Sequence, residues 1–251
     1  MNRLNILGID IDILDMKSTI KKVENFLNDK NNKYLVFTAN PHTLVMAQKD
    51  IIFKKALDYA DLVIPDGILL VLASKIFYPR QCFIERVTGP DLFIETCKIA
   101  NNRGYKYFFL GSTEEVLKRI EERITREHPN IRVVGFYSPP FRELTEEEND
   151  KIINIINETN PDALWVGMTA PKQEKWIFKN KDKLDVKFIG AIGAAFDFYA
   201  GAKKRSSKWF REHGLEWLPR LLQEPKRLWR RTFISAPLFL FLVLKEKLER
   251  T

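Results

Sequence analysis

The stretch "DLVIPDGILL", residues 61–70, decides how we interpret the rest of the chain. Its first half is apolar and β-branched, which is typical of a buried strand, and its second half begins a pattern that predicts a helix over about residues 68–76. Only Asp66 and Gly67 separate the two elements. A carboxylate at the end of a buried strand is costly unless water, a partner or a ligand meets it. Asp66 is therefore either the cap of this helix or part of a site, and both roles can coexist.

The same strand-to-helix unit recurs along the chain. Apolar runs of strand length alternate with longer helical patterns, and these runs read "LNILGIDI", "KYLVFTAN", "YKYFFLG", "IRVVGFY", "DALWVGM" and "VKFIGAIG". The alternation predicts an α/β fold in which a mostly parallel sheet carries helices on both faces. Helix starts are predicted at Asp15, as a cap, at Pro41, in a first turn, and at Thr145 with Glu148, as a capping box.

Polar and small residues at the predicted strand ends form the candidate site, because ligands of such sheets bind beyond the carboxyl ends of the strands. These residues are Thr38, Asn40, Asp66, Gly111, Ser112, Gly167 and Asp197. At this edge Asp66 could accept a proton from a substrate hydroxyl. Lys172 and Gln173 open the helix that follows Pro171, and the N-terminus of a helix favours anions.

Several other chemistries are poorly supported. The glycine-rich run at residues 190–201 lacks the spacing of a dinucleotide fingerprint, and no G-x-x-x-x-G-K-[ST] phosphate loop occurs. Cys82 and Cys97 give no disulfide framework and the histidines are scattered, so we expect no metal and no other cofactor. Asp10 and Asp12 form an Asp-x-Asp pair that some sugar transferases use to hold a metal, but a strand-end turn is the favoured interpretation. The first residues contain no apolar stretch of signal-peptide length, so we do not expect secretion.

The last fifth of the chain carries the net charge. Residues 203–251 hold 13 Lys and Arg against 5 Asp and Glu, which accounts for the whole formal charge of +8. We therefore divide the chain into an α/β domain, residues 1–202, and a basic, aromatic and amphipathic C-terminal appendage, residues 203–251. Its apolar run, residues 233–244, is too short to cross a bilayer, since a spanning helix needs roughly 20 residues. A Trp-rich basic segment beside such a run favours an anionic membrane surface as partner. A core helix, a dimer interface and a nucleic-acid arm are the alternatives.

Four segments together resemble one known family. They are "PDGILLV", "RVTGPDL", "GMTAPKQEKW" and the long run from "GAIGAAFDFYAG" to "EPKRLWRR". They resemble the WecG/TagA/CpsF glycosyltransferases of bacterial cell-surface polymer synthesis (glycosyltransferase family 26), and the match extends over nearly the whole chain. The resemblance implies a Rossmann-like α/β fold of the GT-E type, with residues 1–202 as its catalytic domain. "TANPH" stands here where "TPNPE" is commoner, and "RSS", residues 205–207, where "RAP" is commoner. We expect these changed residues to flank the sugar pockets.

The resemblance also implies an activity and its partners. It implies metal-independent, inverting transfer of a sugar from a UDP-sugar to a polyprenyl-diphosphate-linked sugar, by a peripheral enzyme at the cytoplasmic face of the cell membrane. The best-known members add N-acetylmannosamine to undecaprenyl-diphosphate-GlcNAc in wall teichoic acid synthesis, and others transfer N-acetylmannosaminuronic acid or glucose. A UDP-glucose-dependent transferase of the same family is one alternative. A basic nucleic-acid-binding protein and a membrane-associated structural protein are the others. We expect no nucleic-acid partner, and homo-oligomers are possible.

The family's functional residues match positions in this chain. The proposed general base matches Asp66, the polar pair ahead of the first long helix matches Thr38 and Asn40, and the loop arginine matches Arg86. The glutamine at a helix start matches Gln173, and we expect Gly167 and Lys172 to lie beside it. The arginines of the C-terminal appendage match Arg220, Arg227 and Arg230. Guanidinium groups can stabilise a departing diphosphate in bidentate fashion without a metal.

Overall fold

The computed structural model describes residues 2–249. The strands are β1 (Arg3–Ile6), β2 (Ile9–Asp12), β3 (Tyr34–Ala39), β4 (Leu62–Pro65), β5 (Lys106–Gly111), β6 (Arg132–Tyr137), β7 (Ala163–Gly167) and β8 (Phe188–Ala191). The helices of the first four-fifths are α1 (Met16–Asn28), α2 (Pro41–Ala47), α3 (Ile51–Tyr59), α4 (Ile68–Phe77), α5 (Gly89–Arg103), α6 (Glu114–Glu127), α7 (Glu146–Thr159), α8 (Lys172–Asn180) and α9 (Ala195–Tyr199). The basic segment forms α10 (Lys208–Glu212), α11 (Trp217–Gln223), α12 (Pro225–Arg230), a π-helical turn (Arg231–Ser235) and α13 (Ala236–Glu249).

The central sheet has six strands in the order β4-β3-β8-β7-β5-β6, and every neighbouring pair is parallel. Successive side chains of a strand point to opposite faces, so the sheet separates two apolar clusters. Phe37 and Val63 belong to one cluster, and Val36 and Ile64 to the other. Helices cover both faces, which confirms the predicted α/β class with a mostly parallel, Rossmann-like sheet.

The predicted helix starts are confirmed. Asp15 caps α1 by accepting a hydrogen bond from the backbone N–H of Ser18, and Pro41 occupies the first turn of α2. Thr145 and Glu148 form both hydrogen bonds of the capping box at the start of α7. These signals are local, and for that reason the sequence alone predicts them well.

The prediction that "LNILGIDI" forms one strand is wrong. The run folds into an antiparallel hairpin, β1–β2, which makes a separate two-stranded sheet with Leu4 opposite Ile11 and Ile6 opposite Ile9. The turn between the strands has positive φ at both Leu7 (52°) and Gly8 (73°), the geometry that suits the twist of a tight hairpin. Leucine is rare at a positive φ, so the sequence gives little warning of the turn.

The basic segment folds back onto the sheet domain. Helix α13 packs against α2 and α4, and its Phe239 and Val243 are fully buried in the apolar cluster that also contains Phe37. Glu246 accepts hydrogen bonds from the Tyr78 hydroxyl (2.7 Å) and the Leu7 backbone N–H (3.3 Å). The division of the chain at residue 202 stays a prediction. Between residues 2 and 249, no helix has both the length and the apolar character that crossing a membrane requires.

Candidate active site

Asp66 lies where β4 ends, at the carboxyl edge of the sheet. Its backbone N–H donates to the carbonyl of Ala39, 2.7 Å away, which places it beside the end of the neighbouring strand β3. The next residue, Gly67, has a φ of 105°, a conformation that residues with a Cβ rarely adopt. The N-cap of α4 is Gly67 itself, and no side chain caps the helix. Capping therefore does not explain the Asp66 carboxylate, and the alternative in which it serves as a cap is not supported.

A cavity of about 100 Å³ opens at the Asp66 carboxylate. It joins the strand end to the loop after α4 and to the basic segment, and its lining residues are Asp66, Gly67, Ile68, Arg86, Thr88, Pro90, Gly214, Glu216, Trp217 and Arg220. The pKa of Asp66 is raised to about 6: burial is the main cause and the charge of Glu216 adds to it, while the charges of Arg220, Arg86 and Arg231 oppose the rise. A carboxylate with that pKa is ionised at neutral pH and is a better proton acceptor than an ordinary aspartate.

Arg231 lies within electrostatic reach of two other arginines of the basic segment, Arg220 and Arg227, and Arg220 and Arg231 also act on Asp66. Burial lowers the pKa of Arg231, and the positive charges of Arg220 and Arg227 lower it further, while Asp66 and Glu174 oppose this. The Arg220 guanidinium lies over the Phe198 ring at 5.1 Å, and Arg227 pairs with Glu224. Clustered guanidinium groups repel one another, so the arrangement favours an anionic ligand.

Arg230 does not join this cluster. Its side chain is exposed and lies over the ring of Trp229, 5.4 Å from the centroid. The role expected for Arg230 stays a prediction, and the structure adds Arg231 as an arginine that acts on Asp66. Positions 230 and 231 are adjacent, and at 3.6 residues per turn their side chains point in directions about 100° apart.

The Arg86 guanidinium lies at the cavity but is already engaged. One nitrogen donates to the Glu216 carboxylate at 2.9 Å, and the other donates to the Arg211 backbone carbonyl at 2.7 Å. Both partners belong to the basic segment. Arg86 thus connects the loop after α4 to that segment.

The other predicted residues lie at the ends of β3 and β7 and at the start of α8. Thr38 and Asn40 lie at the end of β3, next to β4, and Asn40 caps α2 by accepting from the Thr43 N–H at 3.1 Å. Gly167 ends β7, where its carbonyl accepts from the N–H of Ser112. Lys172 turns to a neighbouring loop and donates to the carbonyl of Arg142 at 3.0 Å, so the structure does not bring it to the cavity around Asp66.

The start of α8 buries two polar side chains. Gln173 is 2% exposed and Glu174 is 1% exposed, and the Gln173 amide donates to Glu174 at 2.8 Å. Burial raises the pKa of Glu174 to about 7. His42, at the start of α2, contacts the Ser235 hydroxyl at 2.8 Å, and burial followed by the charge of Arg231 lowers its pKa to about 4. Glu174 and His42 thus both lie within the electrostatic reach of Arg231.

The Asp-x-Asp pair has protein partners of its own. Asp12 is buried, bridges Arg3 (3.2 Å) and Lys22 (3.0 Å), and accepts the backbone N–H of Val63. Asp10 accepts from the Asn5 amide. These contacts account for both carboxylates as supports of the hairpin. Within residues 2–249, no group of three or more His, Cys, Asp or Glu side chains is arranged to hold a metal ion.

Comparison with known proteins identifies the family. Residues 4–251 match the family described as "Glycosyl transferase WecG/TagA/CpsF family". The chain belongs to this family. It is 29% identical to the N-acetylglucosaminyldiphosphoundecaprenol N-acetyl-beta-D-mannosaminyltransferase of Staphylococcus aureus strain MW2, over 98% of this chain and 93% of that protein. The protein of the same name from strain MRSA252 is 30% identical over the same shares. The chain is accordingly a glycosyltransferase of the WecG/TagA/CpsF family.

Sequence reasoning missed three charged or titratable residues of this WecG/TagA/CpsF member, namely Glu174, Glu216 and Arg231, whereas His42 was noted as the changed residue that ends "TANPH". Helical spacing from Arg227 was a usable signal for Arg231. For Glu174, the adjacent helix-start Gln173 was the only hint. Glu216 carried no signal, because its importance depends on how the basic segment folds over β4.

Proposed function

We propose that the chain transfers a sugar from a UDP-sugar to a hydroxyl of a polyprenyl-diphosphate-linked sugar, with inversion at the anomeric carbon. The single observation that carries this proposal is the Asp66 carboxylate, with a pKa of about 6, in a cavity that Arg220 lines, with Arg231 acting on Asp66 and with Arg220 and Arg227 acting on Arg231. A base beside a cationic cluster suits a reaction in which one oxygen loses a proton and another departs as a phosphate.

In the proposed mechanism Asp66 is the general base. The acceptor hydroxyl gives its proton to a carboxylate oxygen of Asp66 as its oxygen bonds to the anomeric carbon. The bond from that carbon to the diphosphate oxygen breaks on the opposite face, and UDP leaves with the electron pair. Arg220, Arg227 and Arg231 stabilise the negative charge that grows on the diphosphate. We assign Thr38, Asn40 and Gln173 to the orientation of the sugars.

The names of the relatives support N-acetylmannosamine as the donor sugar and an undecaprenyl-diphosphate-linked N-acetylglucosamine as the acceptor. A related hexose remains within the proposal, since "TANPH" introduces His42 beside Arg231, where it contacts Ser235. On this assignment the enzyme serves teichoic acid or a related cell-wall polymer.

We further propose that the enzyme docks peripherally on the cytoplasmic face of the membrane. Large apolar side chains are exposed on the π-helical turn and α13, and they are Phe233, Ile234, Leu240, Phe241, Leu244 and Leu248. Lysines and arginines of the same segment supply positive charge, and each contributes about 1 kcal/mol near an anionic leaflet. Flotation with anionic but not with neutral liposomes is the expected result, and equal flotation with both would contradict the electrostatic part.

Turnover tests the reaction itself. A panel of UDP-sugars is offered with a polyprenyl-diphosphate-GlcNAc analogue, and UDP release and the glycosylated lipid are measured. We expect transfer from one or few donors with the wild type, and a loss of about 100- to 10,000-fold for Asp66→Asn. Asp58→Asn, at an exposed carboxylate of α3, is the matched control and should retain full turnover. UDP release without a glycosylated lipid, or an active Asp66→Asn variant, would contradict the proposal.

A further inference from the structure

Four charged side chains join the basic segment to the sheet domain beside Asp66, and we call them the clasp: Arg86, Asp91, Arg205 and Glu216. Arg86 and Asp91 belong to the loop after α4 and to the first turn of α5, whereas Arg205 and Glu216 belong to the basic segment. We propose that the clasp holds α10 and α11 over the carboxyl edge of the sheet, and that Arg86 acts through Glu216 as a positioning residue rather than as a ligand of the substrate.

The contacts of Arg86 carry this inference. Its guanidinium binds the Glu216 carboxylate at 2.9 Å and the Arg211 carbonyl at 2.7 Å, so it holds the chain before and after the turn that contains Gly214. The side chain of Arg86 is 18% exposed and that of Glu216 is 8% exposed, so solvent screens the pair far less than a surface ion pair. Two of the five N–H donors of Arg86 are thus used within the protein, one on each terminal nitrogen, and these two bonds fix the direction of the guanidinium.

The second half of the clasp supports the first. Arg205 binds both carboxylate oxygens of Asp91, at 2.6 and 2.7 Å, and its Nε lies 3.6 Å from Glu216. The Ser206 hydroxyl donates to the backbone carbonyl of Glu216 at 3.2 Å. Burial alone would raise the pKa of Asp91, but the hydrogen bonds from Arg205 and Thr88 lower it below the ordinary value. Glu216 is thus held by two arginines that come from opposite sides of the junction.

The clasp also tunes the proposed base. The charges that act on Asp66 are those of Arg220, Glu216, Arg86 and Arg231, and Glu216 is the one that raises the pKa of Asp66. Removal of the Glu216 charge should therefore move the acidic limb of the pH–rate profile below pH 6. A contact that only supported the fold would leave this limb in place.

A charge exchange tests the clasp in the full-length chain. Arg86→Glu and Glu216→Arg should each lower turnover by about 100-fold, because the base and the arginine cluster lose their relative placement. Each should also increase hydrogen exchange at residues 208–230. The double variant restores the ion pair but not the donation to the Arg211 carbonyl, so it should recover at least tenfold of the lost turnover and part of the lost protection. Exchange of the exposed α6 pair Arg119 and Glu115, which are 2.6 Å apart, is the matched control and should change neither quantity.

Each result decides for or against the clasp. Restored protection without restored turnover would show that Arg86 contacts the substrate and would overturn its positioning role. Single variants with wild-type protection would overturn the clasp altogether.

If charge reversal unfolds the chain, neutral substitutions replace the charge-reversing ones: Arg86→Gln, Glu216→Gln and their double variant. The second neutral substitution should then add little to the loss of turnover and protection that the first one causes. Fully additive losses of turnover and protection would count against the clasp. The turnover measurements rest on the proposed function, whereas hydrogen exchange and thermal stability do not. A wild-type protein without activity would refute the proposed function. The clasp would then be tested by hydrogen exchange and thermal stability.

Discussion

At the scale of single residues, the decisive feature is a carboxylate that is costly to ionise and is nevertheless surrounded by cations. Burial alone would keep Asp66 protonated to a higher pH, and Arg220, Arg86 and Arg231 bring its pKa back to about 6. The opposing effects of burial and of the arginine charges leave a carboxylate that is ionised near neutral pH and is a better proton acceptor than an ordinary aspartate.

The rate of the reaction should follow this ionisation. Because Asp66 must be unprotonated to act, we expect kcat/KM to rise with pH and to reach half of its plateau near pH 6. A pH series measured with both substrates well below saturation checks this, because kcat/KM then reports the groups of the free enzyme. His42, whose pKa is about 4, should leave the limb unchanged in a His42→Gln variant. A limb that stays near pH 6 in the residual activity of Asp66→Asn would assign it to another group.

Glu174 should make the folded state less stable at neutral pH than at acidic pH. Its pKa is about 7 in the folded chain and near the ordinary 4.5 in the unfolded chain, so the unfolded state loses this proton first. Stability should therefore fall between about pH 4.5 and pH 7 and stay low above. Glu174→Gln should be more stable than the wild type at pH 8 by about 2 kcal/mol, and equally stable near pH 4. Urea unfolding at both pH values measures this, and equal stability of the two proteins at pH 8 would contradict it.

The sequence predicts part of the site because strand ends are visible in the apolar pattern. Asp66, Thr38 and Asn40 lie at the predicted edge for that reason. Side-chain direction in the basic segment is not visible in the same way. Arg230 and Arg231 are neighbours in sequence, and only the packing of α12 and the π-helical turn turns one outward and the other towards Asp66.

At the scale of elements, the turn between α10 and α11 brings the basic segment against α4. Gly214, with a φ of 71°, lies so close to Ile68 that an added Cβ would lie 2.7 Å from its Cγ1. The first turn of α4, which follows Asp66 directly, is therefore one wall of the cavity and the Gly214 turn is the facing wall.

Gly214→Ala should separate these two walls. The clash with Ile68 adds to the strain of a positive φ, so we expect at least a tenfold loss of turnover together with increased hydrogen exchange at residues 208–223. Gly201→Ala is the matched control, because Gly201 has nearly the same φ (69°) but no atom within 4 Å of an added Cβ. Equal losses in the two variants would attribute the effect to backbone strain alone.

The boundaries of elements show where sequence patterns fail. The β1–β2 hairpin carries the same apolar residues as a single buried strand, and the positive φ values of Leu7 and Gly8 separate the two structures. By contrast, α7 was predicted with its cap because the Thr145 and Glu148 side chains interact within one turn. Local chemistry is readable from the sequence, whereas a reversal that depends on a strained residue is not.

At the scale of the whole molecule, the basic segment contributes to the core as well as to the site. Phe239 is fully buried, while Phe241, two residues later on the same helix, is 61% exposed. Phe239→Ala should lower the free energy of unfolding by about 3 kcal/mol, since it leaves a cavity in the core. Phe241→Ala should change it by less than about 0.5 kcal/mol and should instead weaken liposome binding. Chemical denaturation and flotation of both variants separate the two roles, and equal destabilisation would contradict this assignment.

The sequence predicted the fold class but not how the ends of the chain meet. Strand and helix patterns suffice for a parallel sheet covered on both faces, and the observed strand order agrees with that class. The partners of α13 could not be inferred, because α2 and α4 lie far from it along the chain and the apolar residues of a helix do not specify which other helices it packs against. Charge composition marked residues 203–251 as unusual without showing that two side chains of this segment, Phe239 and Val243, are buried in the main core.

The return of α13 to the β1–β2 hairpin and to α4 has a consequence for biosynthesis. During translation, the apolar surfaces that Phe239 and Val243 will cover are made long before those two side chains emerge from the ribosome. Glu246, the acceptor for Tyr78 and for the Leu7 backbone, emerges later still. The nascent chain therefore exposes part of its hydrophobic core throughout most of its synthesis. Chaperones that shield such surfaces should raise the yield of active enzyme.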